Sequence, residues 1–242
     1  MINRILNQKS GIRNRMFILI LASCFLLLAS TPALAQSVDL LWHGDTYTPP
    51  FYQGKALWSK QSQIIFLAIP HGVGNPANLN YKWTRNGTVL GNISGIGRNT
   101  FSFFDSILSK PQIIKVDIIS GKNTVLASAS VTVVPISPTL MVYENNPLYG
   151  FMFHKETGGA YKLQGEEITF TAFPFFFSAL ERVNNTLSYE WRTNVGLSET
   201  GNSVTYRIPD NTSGSSQVSV KILNADKIMQ SADKSFLVQF GE

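Results

Sequence analysis

The chain of 242 residues contains a single cysteine, Cys24, which lies close to the N-terminus. If the N-terminal segment is removed on export, the remaining part has neither a disulfide nor a thiol nucleophile. The exported part must therefore be stabilised by burial of apolar side chains rather than by covalent cross-links.

Catalytic and metal-binding motifs are also missing. The sequence has no His-Glu-x-x-His pair, no Gly-x-Ser-x-Gly turn and no Asp-x-Asp-x-Asp-Gly calcium loop. Its three histidines, His43, His71 and His154, are scattered over separate segments. Glu166 and Glu167 are adjacent, so in a strand their carboxylates point to opposite faces and do not converge on one substrate. We predict a chain that is not an enzyme and that uses no cofactor or metal.

The N-terminal segment has the pattern of a secretory signal. Arg4, Lys9, Arg13 and Arg15 precede an apolar run, and Ala33-Leu34-Ala35 then places small side chains where a signal peptidase cleaves. We predict that residues 1–35 are a signal peptide cleaved after Ala35. The protein would then be exported, to the periplasm, the cell surface or the medium.

Two other outcomes remain open for this segment. The apolar run is about 15 residues long, shorter than the roughly 20 that a spanning helix needs, although an uncleaved membrane anchor stays possible. Leu21-Ala22-Ser23-Cys24 also resembles a lipobox, in which Cys24 would be lipidated and become the mature N-terminus. The apolar residues that follow Cys24 are unusual for a lipoprotein.

The net charge argues against a nucleic-acid partner. Four of the 20 basic residues lie in the signal segment, which leaves 16 against 15 acidic residues, a net charge of about +1. Binding to nucleic acid requires a basic surface on the folded domain. We therefore expect a protein or glycan partner in the cell envelope, and contact with the membrane only through an uncleaved N-terminal segment.

The two halves of the exported part repeat one another. Residues 79–83 (LNYKW) return as residues 187–191 (LSYEW), about 108 positions later, and residues 112–120 return as 216–224. The matching blocks occur in the same order in both halves. We predict two tandem domains, residues 36–134 and 135–242, joined near Pro135 and Pro138.

Within the repeated blocks the apolar residues alternate with polar ones. Tyr81 and Trp83 share one face of a strand, as do Tyr189 and Trp191, and an Asn86-Gly87 turn follows the first pair. Strands with one buried face are typical of antiparallel sheets. The predicted fold is all-β, with two tandem antiparallel sandwiches after the signal segment.

The Tyr-x-Trp blocks resemble those of PKD and bacterial immunoglobulin-like modules. The resemblance implies that Tyr81, Trp83, Tyr189 and Trp191 are structural core residues. The usual PKD continuation is replaced by Thr84 to Gly87, and the antibody-type cysteine pair is missing, so the resemblance is to immunoglobulin-like modules in the broad sense. The paired aromatic segments 38–52 and 140–153 also resemble secreted proteins of candidate-phylum bacteria, which implies an envelope or surface location.

Aromatic residues are the most distinctive feature outside the repeated blocks. Two dense runs, residues 47–52 and 173–177, either form an exposed interaction surface, fill the contact between the domains or close the end of a sandwich. The candidate interaction aromatics are Tyr47, Phe51, Tyr52, Phe175, Phe176 and Phe177.

These patterns lead to one functional hypothesis and two alternatives. We expect a non-catalytic structural or adhesive module of the cell envelope, because the features that recur in both halves are those that build a fold. The first alternative is a carbohydrate- or peptidoglycan-binding domain that uses exposed aromatics. The second is an accessory subunit of a secretion or surface machine.

Overall fold

A computed structural model describes residues 35–121, 123–194, 198–208 and 212–241. From Ser37 onward the chain forms one compact unit. Residues 1–34 of the predicted signal segment, Cys24 included, lie outside the described residues. In the part that is described, the only helical element is a single 3-10 turn, Pro76–Asn78, and no helix there is long and apolar enough to span a membrane.

The first half of the compact unit contains eight strands in two sheets. One sheet has the order β1-β2-β6 and the other the order β4-β3-β7-β8, with β5 paired to β3, and all pairs are antiparallel. The strands are β1 (Ser37–Asp45), β2 (Gln63–His71), β3 (Asn80–Arg85), β4 (Thr88–Val89), β5 (Gly95–Ile96), β6 (Thr100–Phe104), β7 (Gln112–Ile119) and β8 (Val125–Val133).

The second half repeats this arrangement with two added strands, β10 and β11, and, over the residues that are described, without a counterpart of the short strand β5. Its sheets have the orders β10-β9-β12-β15 and β11-β17-β16-β13-β14, and only the short pair β11-β17 is parallel. The strands are β9 (Thr139–Asn146), β10 (Gly150–Glu156), β11 (Ala160–Lys162), β12 (Glu167–Phe175), β13 (Leu187–Thr193), β14 (Ser198–Thr200), β15 (Ser203–Arg207), β16 (Gly214–Asn224) and β17 (Ser231–Phe240).

The two halves therefore have the same topology. The order β1-β2-β6 corresponds to β9-β12-β15, and β4-β3-β7-β8 corresponds to β14-β13-β16-β17. The prediction of an all-β chain with two tandem antiparallel sandwiches is confirmed. The predicted domain boundary after Val134 falls in the connection between β8 and β9.

Each sandwich buries its own core between its two sheets. Tyr81 and Trp83 of β3 are fully buried in the first core, and Tyr189 and Trp191 of β13 are buried at equivalent places in the second. Side chains of β7 and β16 alternate between core and solvent along most of each strand, since successive side chains point to opposite faces of a sheet.

Hydrogen bonds explain why the pattern is Tyr-x-Trp. The indole Nε1 of Trp83 donates to the carbonyl of Arg98 at 2.8 Å, and that of Trp191 donates to the carbonyl of Gly201 at 2.9 Å. Arg98 lies just before β6 and Gly201 lies just before β15, and each of these strands is at the edge of the sheet opposite the tryptophan. Each tryptophan thus fills the core and satisfies its one polar atom by joining the two sheets.

The tyrosines of β3 and β13 are hydrogen-bonded to the chain segment that precedes each strand. The hydroxyl of Tyr81 donates to the carbonyl of Pro76 at 3.1 Å, and the hydroxyl of Tyr189 donates to the carbonyl of Arg182. Burial raises the pKa of Tyr189, so its hydroxyl stays protonated and remains a donor at neutral pH. In the second sandwich this bond fixes the backbone beside the site described below.

The turn after β3 has the geometry expected from its sequence. Asn86 and Gly87 have φ values of 50° and 84°, so both central residues lie in the left-handed region required by a type I′ turn. The Asn86 side chain also accepts from the backbone N–H of Ile113 at 2.8 Å, which ties the turn to β7. The local backbone geometry and this long-range hydrogen bond therefore favour the same conformation of the turn.

Candidate functional site

The two sandwiches are joined by the long connection between β1 and β2, residues 46–62. Within it, Tyr47 forms two backbone hydrogen bonds to the end of β12: its N–H donates to the carbonyl of Phe177 at 2.7 Å, and its carbonyl accepts from the N–H of Phe176 at 2.8 Å. Phe176 has a φ of 64°, which is unfavourable for a bulky side chain. The two hydrogen bonds hold Phe176 in this conformation.

The connection between β8 and β9 is fixed to the same segment. The N–H of Ile136 donates to the carbonyl of Trp58, and the carbonyl of Ile136 accepts from the N–H of Lys60, both at 3.0 Å. Ser59 and Ile136 form an isolated parallel bridge. Residues 134–138 are therefore paired with the first sandwich along part of their length.

Beneath these contacts lies a buried polar group, the side chain of Gln230, which is 1% exposed. Its Nε2 donates to the carbonyl of Lys60 at 2.8 Å, to Ser178 Oγ at 2.9 Å and to Ser59 Oγ at 3.2 Å. Its Oε1 accepts from the N–H of Ser178 at 2.8 Å and from Asn224 Nδ2 at 3.0 Å. Both sandwiches are thus needed to satisfy this one amide.

An aromatic cluster lies next to this amide and between the sandwiches. Its buried members come from β9, β12 and the residue after β12, and its half-buried members come from the β1–β2 connection, the β8–β9 connection and strands β9 and β10. They are Tyr143, Phe173, Phe175, Phe176, Phe51, Tyr52, Leu57, Ile136, Met141 and Phe151. Strand β12 is consequently covered on both faces, since Phe170 and Ala172 belong to the core of the second sandwich.

The structure does not place the second aromatic run on the surface. Phe175, Phe176 and Phe177 are only 2%, 7% and 0% exposed, so of the alternatives left open for this run the structure agrees with burial and not with an exposed interaction surface. The left-handed conformation of Phe176 interrupts the period-two alternation at the end of β12. Phe177 therefore enters the core of the second sandwich, while its two neighbours pack against the β1–β2 connection.

The first aromatic run is only half-buried. Tyr52 packs edge-on against Phe175 and Phe176, with ring centroids 5.6 and 5.7 Å apart. Phe51 stacks on Phe153 of β10 at 4.1 Å. Tyr47 is fixed by its two backbone hydrogen bonds to Phe176 and Phe177. These three residues cover the buried phenylalanines and keep part of each ring accessible.

A cleft of about 480 Å³ opens beside this cluster. We call it the aromatic cleft. Its walls come from both sandwiches and include Tyr47, Phe51, Phe151, Phe153, Phe173 and Arg182. Phe153 is 39% exposed, so its ring is available to a partner.

The charge of Arg182 modifies this apolar cleft. The Arg182 guanidinium lies 4.6 Å from the ring centre of Phe173 and 5.2 Å from that of Phe151, a cation–π arrangement. Burial raises the pKa of the Tyr47 hydroxyl, the charge of Arg182 opposes this shift, and Glu181 adds to it. At neutral pH the cleft therefore offers aromatic rings, a protonated hydroxyl and one oppositely charged pair.

Sequence reasoning missed Phe151, Phe153 and Arg182. Phe151 and Phe153 belong to β10, which has no counterpart in the first sandwich, and Arg182 lies in the connection after β12. Phe151 and Phe153 do alternate at period two, which is the one signal that indicates a shared face. Their partners are distant in sequence, so nothing local identifies the cleft.

The acids and histidines do not assemble a catalytic or metal centre within the described ranges. His71 pairs with Asp39 at 3.1 Å, but both side chains are exposed. His43 and His154 are exposed on other strands, and Glu167 pairs with Arg207. Among the described residues, no group of three or more histidine, cysteine or acidic side chains is placed to hold a metal.

Taken together, the topology defines the chain as a pair of immunoglobulin-like β-sandwiches. No family model matches the sequence, and no curated protein matches it either.

Solved structures match the chain only at low similarity. Fibronectin(III)-like modules of Clostridium thermocellum CbhA are 14% identical over 82% of this chain and 93% of theirs, with a TM-score of 0.28. The tandem V-type regions of VCBP3, a v-region-containing chitin binding protein, are 7% identical over 84% and 99%, with a TM-score of 0.25. Red sea bream transglutaminase is 9% identical, with a TM-score of 0.28, and the match covers 87% of this chain but 32% of the enzyme. Such likeness supports no functional inference.

The Gln230 amide generates a testable prediction about the joint. The substitution Gln230→Leu removes the amide, and the buried backbone and side-chain groups that are hydrogen-bonded to it then have no partner. We expect a loss of about 1–3 kcal/mol in the free energy of unfolding. Urea denaturation of the exported part measures this loss.

Gln217→Leu is the matched control for this change. Gln217 lies in β16 of the same sandwich, where its exposed side chain donates only to Ser235. Its replacement should change the free energy of unfolding by no more than about 0.5 kcal/mol. Equal losses in the two variants would contradict the assigned role of Gln230.

Proposed function

We propose that the chain is a non-catalytic, exported interaction module of the cell envelope, in which two sandwiches act as one rigid support for the aromatic cleft. The observation that carries this proposal is the joint. Tyr47 and Gln230 form hydrogen bonds between the sandwiches, and Ile136 ties the segment that connects them to the first sandwich, so the walls of the cleft are held in one arrangement. A preorganised surface loses less conformational entropy on binding than a flexible one.

The composition of the cleft favours a protein partner. Aromatic and arginine residues are the side chains that contribute most to protein interfaces, and the cleft presents the accessible ring of Phe153 beside the guanidinium of Arg182. The cleft can accept an apolar side chain of a partner, while the Glu181 and Arg182 pair offers polar contacts at its wall. We propose that the partner is another protein of the envelope.

Export and a PKD-like relationship are part of the same proposal. Export rests on the basic and apolar N-terminal pattern. The relationship to PKD-like modules rests on the Tyr-x-Trp blocks, and the relationship to secreted proteins of candidate-phylum bacteria rests on the paired aromatic segments 38–52 and 140–153. The fold supports the relationship to PKD-like modules in that both Tyr-x-Trp blocks occupy matching places in matching sandwiches.

The first alternative, carbohydrate binding through Tyr52 and Phe176, loses its original basis. These two rings pack against each other at 5.7 Å, and Phe176 is 7% exposed, so it cannot form a platform for a sugar. The second alternative, an accessory subunit of a secretion or surface machine, fits the same cleft. Identification of the captured partner separates it from a free-standing adhesin.

Mass spectrometry of the mature N-terminus tests the proposed export. We expect the protein recovered from the envelope or medium to begin at Gln36, because Ala33 and Ala35 fit the small pockets of signal peptidase. A diacylglyceryl-modified Cys24 would establish lipidation instead. A chain that still contains residues 1–35 would contradict cleavage.

Binding of the exported part to envelope fractions tests the proposed interaction. Phe153→Ala removes from the aromatic cleft an accessible ring that also packs on Tyr143 and Phe173, so thermal melting of the variant is measured alongside binding. We expect at least a tenfold loss of affinity, as for an interface anchor. Tyr149→Ala is the control, because Tyr149 is 77% exposed and does not line the cleft. Binding that both variants retain would contradict the proposal, and so would turnover of a hydrolase or transferase substrate.

A further inference from the structure

A second recess lies where the sandwiches meet, separate from the aromatic cleft. It has a volume of about 240 Å³, and we call it the junction groove. Its lining includes Asp45, Gln61 and Phe104 from the first sandwich and Leu180, Asn184 and Lys227 from the second. Amide, hydroxyl and charged side chains are more frequent in its lining than in that of the aromatic cleft, although most of its accessible surface is still apolar.

Two amides of the groove are oriented by the protein itself. Gln61 Oε1 accepts from the backbone N–H of Met229 at 2.7 Å, and Asn184 Oδ1 accepts from the backbone N–H of Thr186 at 2.9 Å. A backbone N–H can only donate, so the oxygen of each amide must face the protein. The NH₂ group of each amide therefore points away from that contact, as a fixed donor.

Charged and apolar side chains of the groove complement these two amide donors. Asp45 offers carboxylate acceptors and Lys227 three N–H donors. Phe104 is 69% exposed and lies opposite Gln63 in the β2–β6 pair. Leu180 is 92% exposed on the facing sandwich. An accessible aromatic ring thus stands beside two oriented donors, a carboxylate and an ammonium group.

This combination matches the chemistry of a sugar ring. Each hydroxyl of a pyranose both donates and accepts a hydrogen bond, and its C–H face is apolar and packs on an aromatic ring. A volume of about 240 Å³ is below the roughly 300–1,000 Å³ typical of drug-sized ligands, so the groove has room for a single ring. A folded partner would need a much larger contact area.

We propose that the junction groove binds one pyranose unit of a neutral saccharide, with Phe104 as its stacking platform and Gln61 and Asn184 as donors. This site is additional to the aromatic cleft and does not depend on the protein partner proposed there. Because both sandwiches contribute its groups, the site exists only while the joint is intact.

Saturation-transfer-difference NMR of the exported chain tests the proposal. The probes are the methyl glycosides of glucose, galactose, mannose and N-acetylglucosamine, each titrated separately. We expect at least one to bind, and Phe104→Ala to weaken that binding about two- to twelvefold, since aromatic packing is worth about 0.5–1.5 kcal/mol.

Asn184→Asp tests the donor role separately. The aspartate still accepts from the N–H of Thr186 but lacks the NH₂ group, so we expect binding to weaken about threefold or more. Tyr149→Ala, an exposed aromatic outside the groove, should bind the glycoside as the unchanged chain does. Thermal melting of each variant shows that it is folded.

Three results would overturn the saccharide site. They are the absence of binding by all four glycosides, binding that Phe104→Ala and Asn184→Asp leave unchanged, and Phe104-dependent binding of a peptide by a chain that binds no glycoside. None of these results bears on the envelope-binding experiment, which depends on Phe153. Failure of the groove and failure of the cleft are therefore distinguishable.

Discussion

The side-chain amide of Gln230 is the group on which the arrangement of the two sandwiches depends. An amide buried without hydrogen bonds is costly, and this one is satisfied only when Ser59 and Lys60 of the first sandwich meet Ser178 and Asn224 of the second. The requirement selects one relative position of the sandwiches. The aromatic cleft and the junction groove follow from it, since each takes its walls from both sides.

The joint also explains why two proline-containing connections lie together. The β8–β9 connection forms hydrogen bonds through Ile136 to Trp58 and Lys60, and the β1–β2 connection forms them through Tyr47 to the end of β12. The aromatic cluster then fills the space between these backbone contacts. Polar groups set the geometry of the joint, and apolar burial contributes most of its stability.

Most of the fold could be predicted from the sequence because its signals are local or repeated. Alternation at period two marks strands such as β7 and β16, and the Asn86-Gly87 pair marks a hairpin turn whose φ values the structure reproduces. The repeat of the Tyr-x-Trp blocks then indicates that one topology occurs twice.

The site could not be predicted because it depends on contacts between residues far apart in the chain. The positive φ of Phe176 changes the direction of the side chains at the end of β12. The hydrogen bonds between Tyr47 and residues 176–177 that fix this conformation join residues more than 100 positions apart. Gln230 lies in a polar turn, where local rules predict exposure. Strand β10, which supplies Phe153, is absent from the other repeat and is therefore invisible to the repeat pattern.

Hydrogen exchange of the Tyr47 and Phe176 amides tests the joint most directly, because both N–H groups donate across it. If the sandwiches form one rigid unit, these two amides will exchange as slowly as those of core strand residues such as Phe66 and Val220. Exchange at the rate of an exposed loop, with the core amides still protected, would show that the sandwiches separate in solution and would contradict the account.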